Sequence, residues 1–151
     1  MSPIRVLIAD DQALVRGALA TLLGLESDLE VVAQVGRGDE VLEAVREHAV
    51  DVALVDIDMP GRDGLAATAE VVDSDLPGRC LIVTTFGRPG YLSRGMEAGA
   101  AGFIVKDTPP EALAEAIRKV HAGLRVIDPE LAQESVLLGP NPLTEREKEV
   151  L

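Results

Sequence analysis

The strongest constraint on this chain is a rhythm: five short, nearly continuous aliphatic runs, each followed by a stretch with helical spacing. The runs are "RVLIA" (5–9), "EVVAQV" (30–35), "VALVD" (52–56), "RCLIVTT" (79–85) and "GFIVK" (102–106). They are dense in Val, Ile and Leu without polar alternation, the signature of strands covered on both faces. Between and after them lie "ALVRGALATLLGL", "DEVLEAVREH", "GLAATAEVVDS", "GYLSRGMEAG" and "PPEALAEAIRKVHAG", with apolar residues three or four apart and Gly or a polar turn at their ends. Five βα units in series predict an α/β doubly wound fold, a five-stranded parallel sheet with helices on both faces. At 151 residues and 47% hydrophobic content, the chain suits one such domain plus a tail.

In such a sheet the loops leaving the strand C-termini share one edge, where open α/β sheets bind ligands. Asp10 and Asp11 follow the first strand, Asp56 ends the third, Thr84 and Thr85 end the fourth, and Lys106 ends the fifth. Singly, each has an ordinary explanation. An Asp pair after a strand is a common helix cap, threonines are ordinary strand residues, and a Lys before "DTPPE" can be solvated, with Asp107 or Thr108 capping the next helix. Together they put three carboxylates, a hydroxyl and an ammonium on one edge. Carboxylates that close repel unless a cation joins them. Mg²⁺ suits the set, because it takes oxygen ligands and retains several waters. Asp56 could then attack an activated phosphorus while the metal, Thr84 and Lys106 meet the phosphoryl oxygens. After Asp56, Pro60, Gly61 and Gly64 turn the chain, and Asp63 is solvated or caps the third helix.

Composition narrows the classes. The net charge of −12 is the wrong sign for gripping phosphate backbones unaided, and 2% aromatics leave little to stack on a flavin, sugar or base. No apolar run reaches membrane-spanning length, the N-terminus lacks a signal peptide's order, and the lone Cys80 predicts a reducing cytoplasm. Cys80 itself reads as a small buried hydrophobe. His48 and His121 sit near helix C-termini, where imidazolium suits the dipole. The first helix carries Leu14, Val15, Leu19, Leu22, Leu23 and Leu25, more aliphatic surface than one buried stripe needs. With the fifth helix nearby, this predicts a homodimer through helices one and five.

Residues 1–123 thus form the main domain. In 124–142, "VIDPELAQESVLLGP" has Asp128 as N-cap, Pro129 at the first helical position and Gly139 past the end, which predicts a short linker helix. In 143–151, "LTEREKEVL" shows capping-box spacing at Thr144 and Glu147, and reads as the start of a truncated further domain.

The motifs "IADD", "VDIDMPGRDG", "VTTFG" and "AGAAGFIVKD", in this order over residues 4–123, resemble the receiver domain of two-component response regulators. The tail "NPLTEREKEVL" is similar to the opening of the LuxR-type helix-turn-helix of the NarL/FixJ subfamily, and "TTFGRPGYLSRGMEAGAAGFIVKD" resembles DesR-like regulators, which control membrane-lipid desaturation. The resemblance implies strand order 2-1-3-4-5 and Asp56 as phospho-acceptor from a sensor histidine kinase. It also implies Asp11 as direct Mg²⁺ ligand, Asp10 completing the acidic pocket, and Asp58 offering its backbone carbonyl. Thr84 and Lys106 would bind phosphoryl oxygens, and Phe103 would be the rotameric aromatic switch, although it also reads as plain core. Phosphorylation would then promote dimerisation and promoter binding through the C-terminal domain. Where many receivers have Pro after the Lys, this chain has Asp107. Gly87, Pro89, Gly90 and Gly95 weaken the fourth helix, which predicts a switch segment ordered by phosphorylation.

Two other classes share features. An Asp-nucleophile, Mg²⁺-dependent phosphohydrolase would also carry an Asp-x-Asp such as "DID", but after its first strand and with the metal-binding acidic pair later. A flavodoxin-like carrier would need a phosphate loop and aromatics where this chain has "DDQALV".

Overall fold

The computed structural model describes residues 2–84 and 91–128. Its elements run β1 (Ile4–Ala9), α1 (Ala13–Leu23), β2 (Leu29–Val35), α2 (Val41–His48), β3 (Val52–Asp56), α3 (Gly64–Asp73), β4 (Arg79–Thr84), α4 (Tyr91–Ala98), β5 (Gly102–Val105), α5 (Pro110–His121) and β6 (Val126–Ile127). All pairings are parallel, in the order β2-β1-β3-β4-β5-β6.

The continuous aliphatic runs are explained by burial on both faces. Along β3, Val52 and Leu54 point to one side, into a core with Leu23 of α1 and Leu113, Ile117 and Val120 of α5. Ala53 and Val55 point to the other, against Val41 and Val45 of α2 and Ala67 and Val71 of α3. A third cluster joins Leu65 of α3 and Leu92 and Met96 of α4 to Ile82, Phe103 and Val105. Each large aliphatic buried in these layers contributes roughly 1.5–3 kcal/mol, and the layers fix where every strand end emerges.

Among the described residues the sheet has six strands, one more than predicted. Val126 and Ile127 pair with Gly102 and Phe103, and the Asp128 N–H donates to the Phe103 carbonyl (2.9 Å). A two-residue strand is too short to show any period, and it falls where the sequence suggests only a linker. The linker helix predicted after Asp128, the start of a further domain in 143–151, and Thr85, Gly87, Pro89 and Gly90 lie outside the described residues.

Two helix starts differ from expectation, and a third agrees with it. No side chain caps α1; Asp10 instead accepts from the Gln12 N–H (2.9 Å). Neither Asp107 nor Thr108 caps α5. Its N-cap is Pro109, and the Thr108 hydroxyl donates back to the Val105 carbonyl (2.7 Å). Asp63 caps α3, accepting from the Ala66 N–H (2.8 Å). Cys80 is buried in the layer against α3, and burial pushes its thiol up to about 12.

Candidate functional site

Asp10, Asp56 and Thr84 are buried although polar, and all three lie at the C-terminal edge of the sheet. β1 and β3 are adjacent, so Asp10 and Asp56 stand side by side, with the exposed Asp11 at the rim. One carboxylate oxygen from each of Asp10, Asp11 and Asp56 lies within 4.8 Å of the others. Lys106, one residue past β5, lays its ammonium between two of them, 3.0 Å from Asp56 Oδ2 and 3.5 Å from Asp10 Oδ2. The reach is set by backbone pairing: the Lys106 N–H donates to the Thr84 carbonyl (2.9 Å), which brings the ends of β4 and β5 level.

The charges of this cluster are unequal. Burial raises the Asp56 carboxyl above its usual range, the hydrogen bond and charge of Lys106 work against that, and the charge of Asp10 adds to it. Burial of Lys106 alone would lower its value. Its contacts with Asp56 and Asp10 outweigh that, and the ammonium is held above its ordinary range. Both partners rise because they are differently placed. The Asp56 side chain is 4% exposed beside a like charge, whereas that of Lys106 is 31% exposed and meets two carboxylates.

The structure separates the two aspartates of "DID". Asp56 is buried, while Asp58 is exposed and its carboxylate stands outside the group of three. The Asp58 backbone N–H donates to Asp56, so the loop after β3 folds back over the strand end. It closes where the Gly64 N–H donates to the Ile57 carbonyl (2.8 Å). Phe103 is buried against α4 in the layer of Ile57, Ile82 and Met96.

Two supports were not foreseen from the sequence. The Gly38 N–H donates to the Pro60 carbonyl (3.0 Å), and a Cβ there would sit 1.6 Å from the Arg62 carbonyl oxygen, so only glycine lets the β2–α2 turn brace the loop after β3. Arg16 donates to the Asp10 carbonyl (2.5 Å). "VGRG" after β2 was the available signal for the first, since it places glycines at a strand end on the site's edge.

The residues present fit a hard divalent cation: three convergent carboxylates with, among the described residues, one ammonium between them are short of positive charge. The sequence profile of the response regulator receiver domain matches residues 6–118. This chain is a response regulator. The transcriptional regulatory protein DesR of Bacillus subtilis (strain 168) is 46% identical over 148 residues, covering 98% of this chain and 73% of its own. The uncharacterized transcriptional regulatory protein YvfU of the same strain is 44% identical, covering 98% of this chain and 74% of its own. Among solved structures, a LuxR-family two-component response regulator from Aurantimonas sp. SI85-9A1 superposes with a TM-score of 0.83 at 31% identity, over 90% of this chain and 97% of that one. The receiver therefore belongs with the NarL/LuxR-family response regulators, and its sheet order β2-β1-β3-β4-β5 is theirs, with β6 added at the edge. Response regulators are signalling proteins of two-component systems and not conventional enzymes. Among the described residues no helix is long and apolar enough to cross a membrane.

Proposed function

We propose that this receiver is a phosphorylation-driven switch in which a sensor histidine kinase donates a phosphoryl group to Asp56. The observation that carries this reading is Lys106 held between Asp56 and Asp10 at the centre of the carboxylate cluster. An Asp56 oxygen attacks phosphorus, the bond from phosphorus to the kinase's imidazole nitrogen breaks, and an acyl phosphate forms. Lys106, already 3.0 Å from Asp56, follows the transferred group and neutralises its oxygens. Thr84 donates its hydroxyl to another phosphoryl oxygen. Asp10, Asp11, Asp56 and the Asp58 carbonyl would hold Mg²⁺, which would supply further charge neutralisation.

The new charge then favours a second arrangement of the β4 and β5 ends, with Thr84 and Phe103 as its moving parts. Output passes through a homodimer built on α1 and α5 to promoter DNA, gripped by a LuxR-type domain that residues 143–151 begin. DesR and YvfU are named as transcriptional regulators, which supports that output. The setting is the cytoplasm, where a lone thiol such as Cys80 stays reduced.

Incubation of the chain with Mg²⁺ and a small phosphodonor, followed by intact-mass measurement, tests the reading. One phosphoryl group per chain is expected, and Asp56→Asn should abolish it. Continuous release of phosphate would instead indicate a phosphohydrolase. Labelling that survives Asp56→Asn would overturn the assignment.

A further inference from the structure

Arg16 stands in α1, one turn beyond the acidic pair, and its side chain leans back toward the helix N-terminus as helical side chains do. Arg16 is half-buried, and among the described residues it pairs with none of the three carboxylates. It donates instead to the Asp10 backbone carbonyl (2.5 Å). The path it takes is open because residue 36 is glycine: a Cβ there would lie 2.9 Å from Arg16 Nη1.

This contact completes the restraint of Asp10. The Asp10 N–H donates to the Val35 carbonyl (3.1 Å), one carboxylate oxygen accepts from Gln12 N–H (2.9 Å), and the other faces Lys106 (3.5 Å). The carbonyl held by Arg16 belongs to the peptide that joins Asp10 to Asp11. Fixing that peptide plane sets the direction in which Asp11 leaves the backbone. Asp11 needs this, because among the described residues its exposed carboxylate has no hydrogen bond to hold it.

The geometry points to Arg16 as a positioning residue: through the Asp10 carbonyl it aims the Asp10–Asp11 pair and thereby sets the divalent-cation affinity of the site. The inference rests on the metal-dependent phospho-acceptor reading above. A charge-assisted hydrogen bond to a backbone oxygen fixes geometry while leaving all three carboxylates available to the cation.

Charge and positioning make opposite predictions, which makes the idea testable. Arg16 is a cation near a cation site, so by Coulomb's law alone its removal should tighten Mg²⁺ binding. If Arg16 aims the ligands, its removal should weaken binding by about ten-fold, the lower end for loss of a residue that orients metal ligands. The test is an NMR titration of the 151-residue chain with Mg²⁺, following backbone amide shifts, for wild type, Arg16→Gln, Arg16→Lys and Gly36→Ala. Expected are weaker binding in Arg16→Gln, partial recovery in Arg16→Lys, and a loss in Gly36→Ala, whose methyl would lie 2.9 Å from Arg16 Nη1. Unchanged or tighter binding in Arg16→Gln overturns the inference, as does a lowered Tm with unchanged affinity. Wild type that does not respond to Mg²⁺ at all would overturn the metal reading and this inference with it. If Arg16→Gln does not fold, Gly36→Ala decides, since it displaces the guanidinium without removing its charge.

Discussion

The Asp56 carboxyl is buried at the end of β3, and burial is the largest influence on it. Lys106 relieves that cost without removing it, and Asp10 adds to it, so the group holds its proton above the ordinary value of 3.8. The consequence for stability has a definite sign. As pH rises past about 3.8, Asp56 in the unfolded chain ionises before it does in the folded one, and stability falls until the folded group has also ionised. Asp56→Asn removes this loss. In metal-free buffer at pH 7 its Tm should exceed that of wild type, and the gap should close below about pH 4. A wild type at least as stable as the variant at pH 7 would count against this account. Lys106 has the opposite sign. Its raised value means its stabilisation is present below 10.5 and lost only as pH climbs through the folded value. Asp10, Asp56, Thr84 and Lys106 could be read from the sequence because strand ends are legible and all strands point one way. Arg16 could not, because its partner is a backbone carbonyl, which no residue pattern marks, and for Gly38 the glycines of "VGRG" marked a turn on the site's edge without marking its carbonyl partner.

At the scale of elements, α4 shows why a sequence rule can be right locally and wrong in context. Gly95 in a helix interior looks like a weakness of about 1 kcal/mol relative to Ala. In the fold it is the seat of Phe103: a Cβ on Gly95 would lie 1.8 Å from the ring's Cζ, and the ring is 1% exposed. Gly95→Ala therefore pits a helix gain of about 1 kcal/mol against an overpacking cost of roughly 1–3 kcal/mol. The net effect should be a lower Tm, with the ring displaced from β5. The chain contains only two phenylalanines, so fluorine NMR of 4-fluorophenylalanine-labelled protein resolves the ring directly, with Phe86→Leu assigning it. A raised Tm with an unshifted Phe103 signal would refute this packing account. The long strands were legible because both faces are apolar. β6 was not, because its two residues owe their conformation to the edge of β5. The mixed start of α2, a single 3₁₀ turn at Gly38–Glu40 before the helix proper, likewise follows from its brace against the next loop.

For the whole molecule the surplus leucines of α1 are the clearest outward-facing feature. Leu14 is 90% exposed and Leu23 is buried, while Leu25, expected in this helix, lies just past its end at Leu23 and is 77% exposed. The adjoining helix is held in register by Arg118 of α5, which pairs with Glu26 (2.6 Å) and Asp28 (2.7 Å) in the turn after α1. Exposed pairs of this kind add little stability, but they fix α1 and α5 as one surface. Sedimentation of the chain bearing a phosphoryl mimic should show self-association that Leu14→Ser and Leu25→Ser each weaken by about ten-fold or more, from the loss of roughly 1.5–3 kcal/mol of apolar burial. Association untouched by both substitutions would place the interface elsewhere. The sequence revealed the surplus but not its direction, since helical spacing alone cannot say which leucines face the sheet. One consequence of β6 concerns reach. Val126 to Asp128 lie stitched along β5, beside the strand that carries Phe103 and leads into Lys106. If those three residues peel away, the leash to the rest of the chain lengthens by about 10 Å. The local concentration of whatever hangs from that leash then changes with its length. A two-residue edge strand can thus act as a reel: wound in or let out, it would set how far residue 129 stands from the sheet.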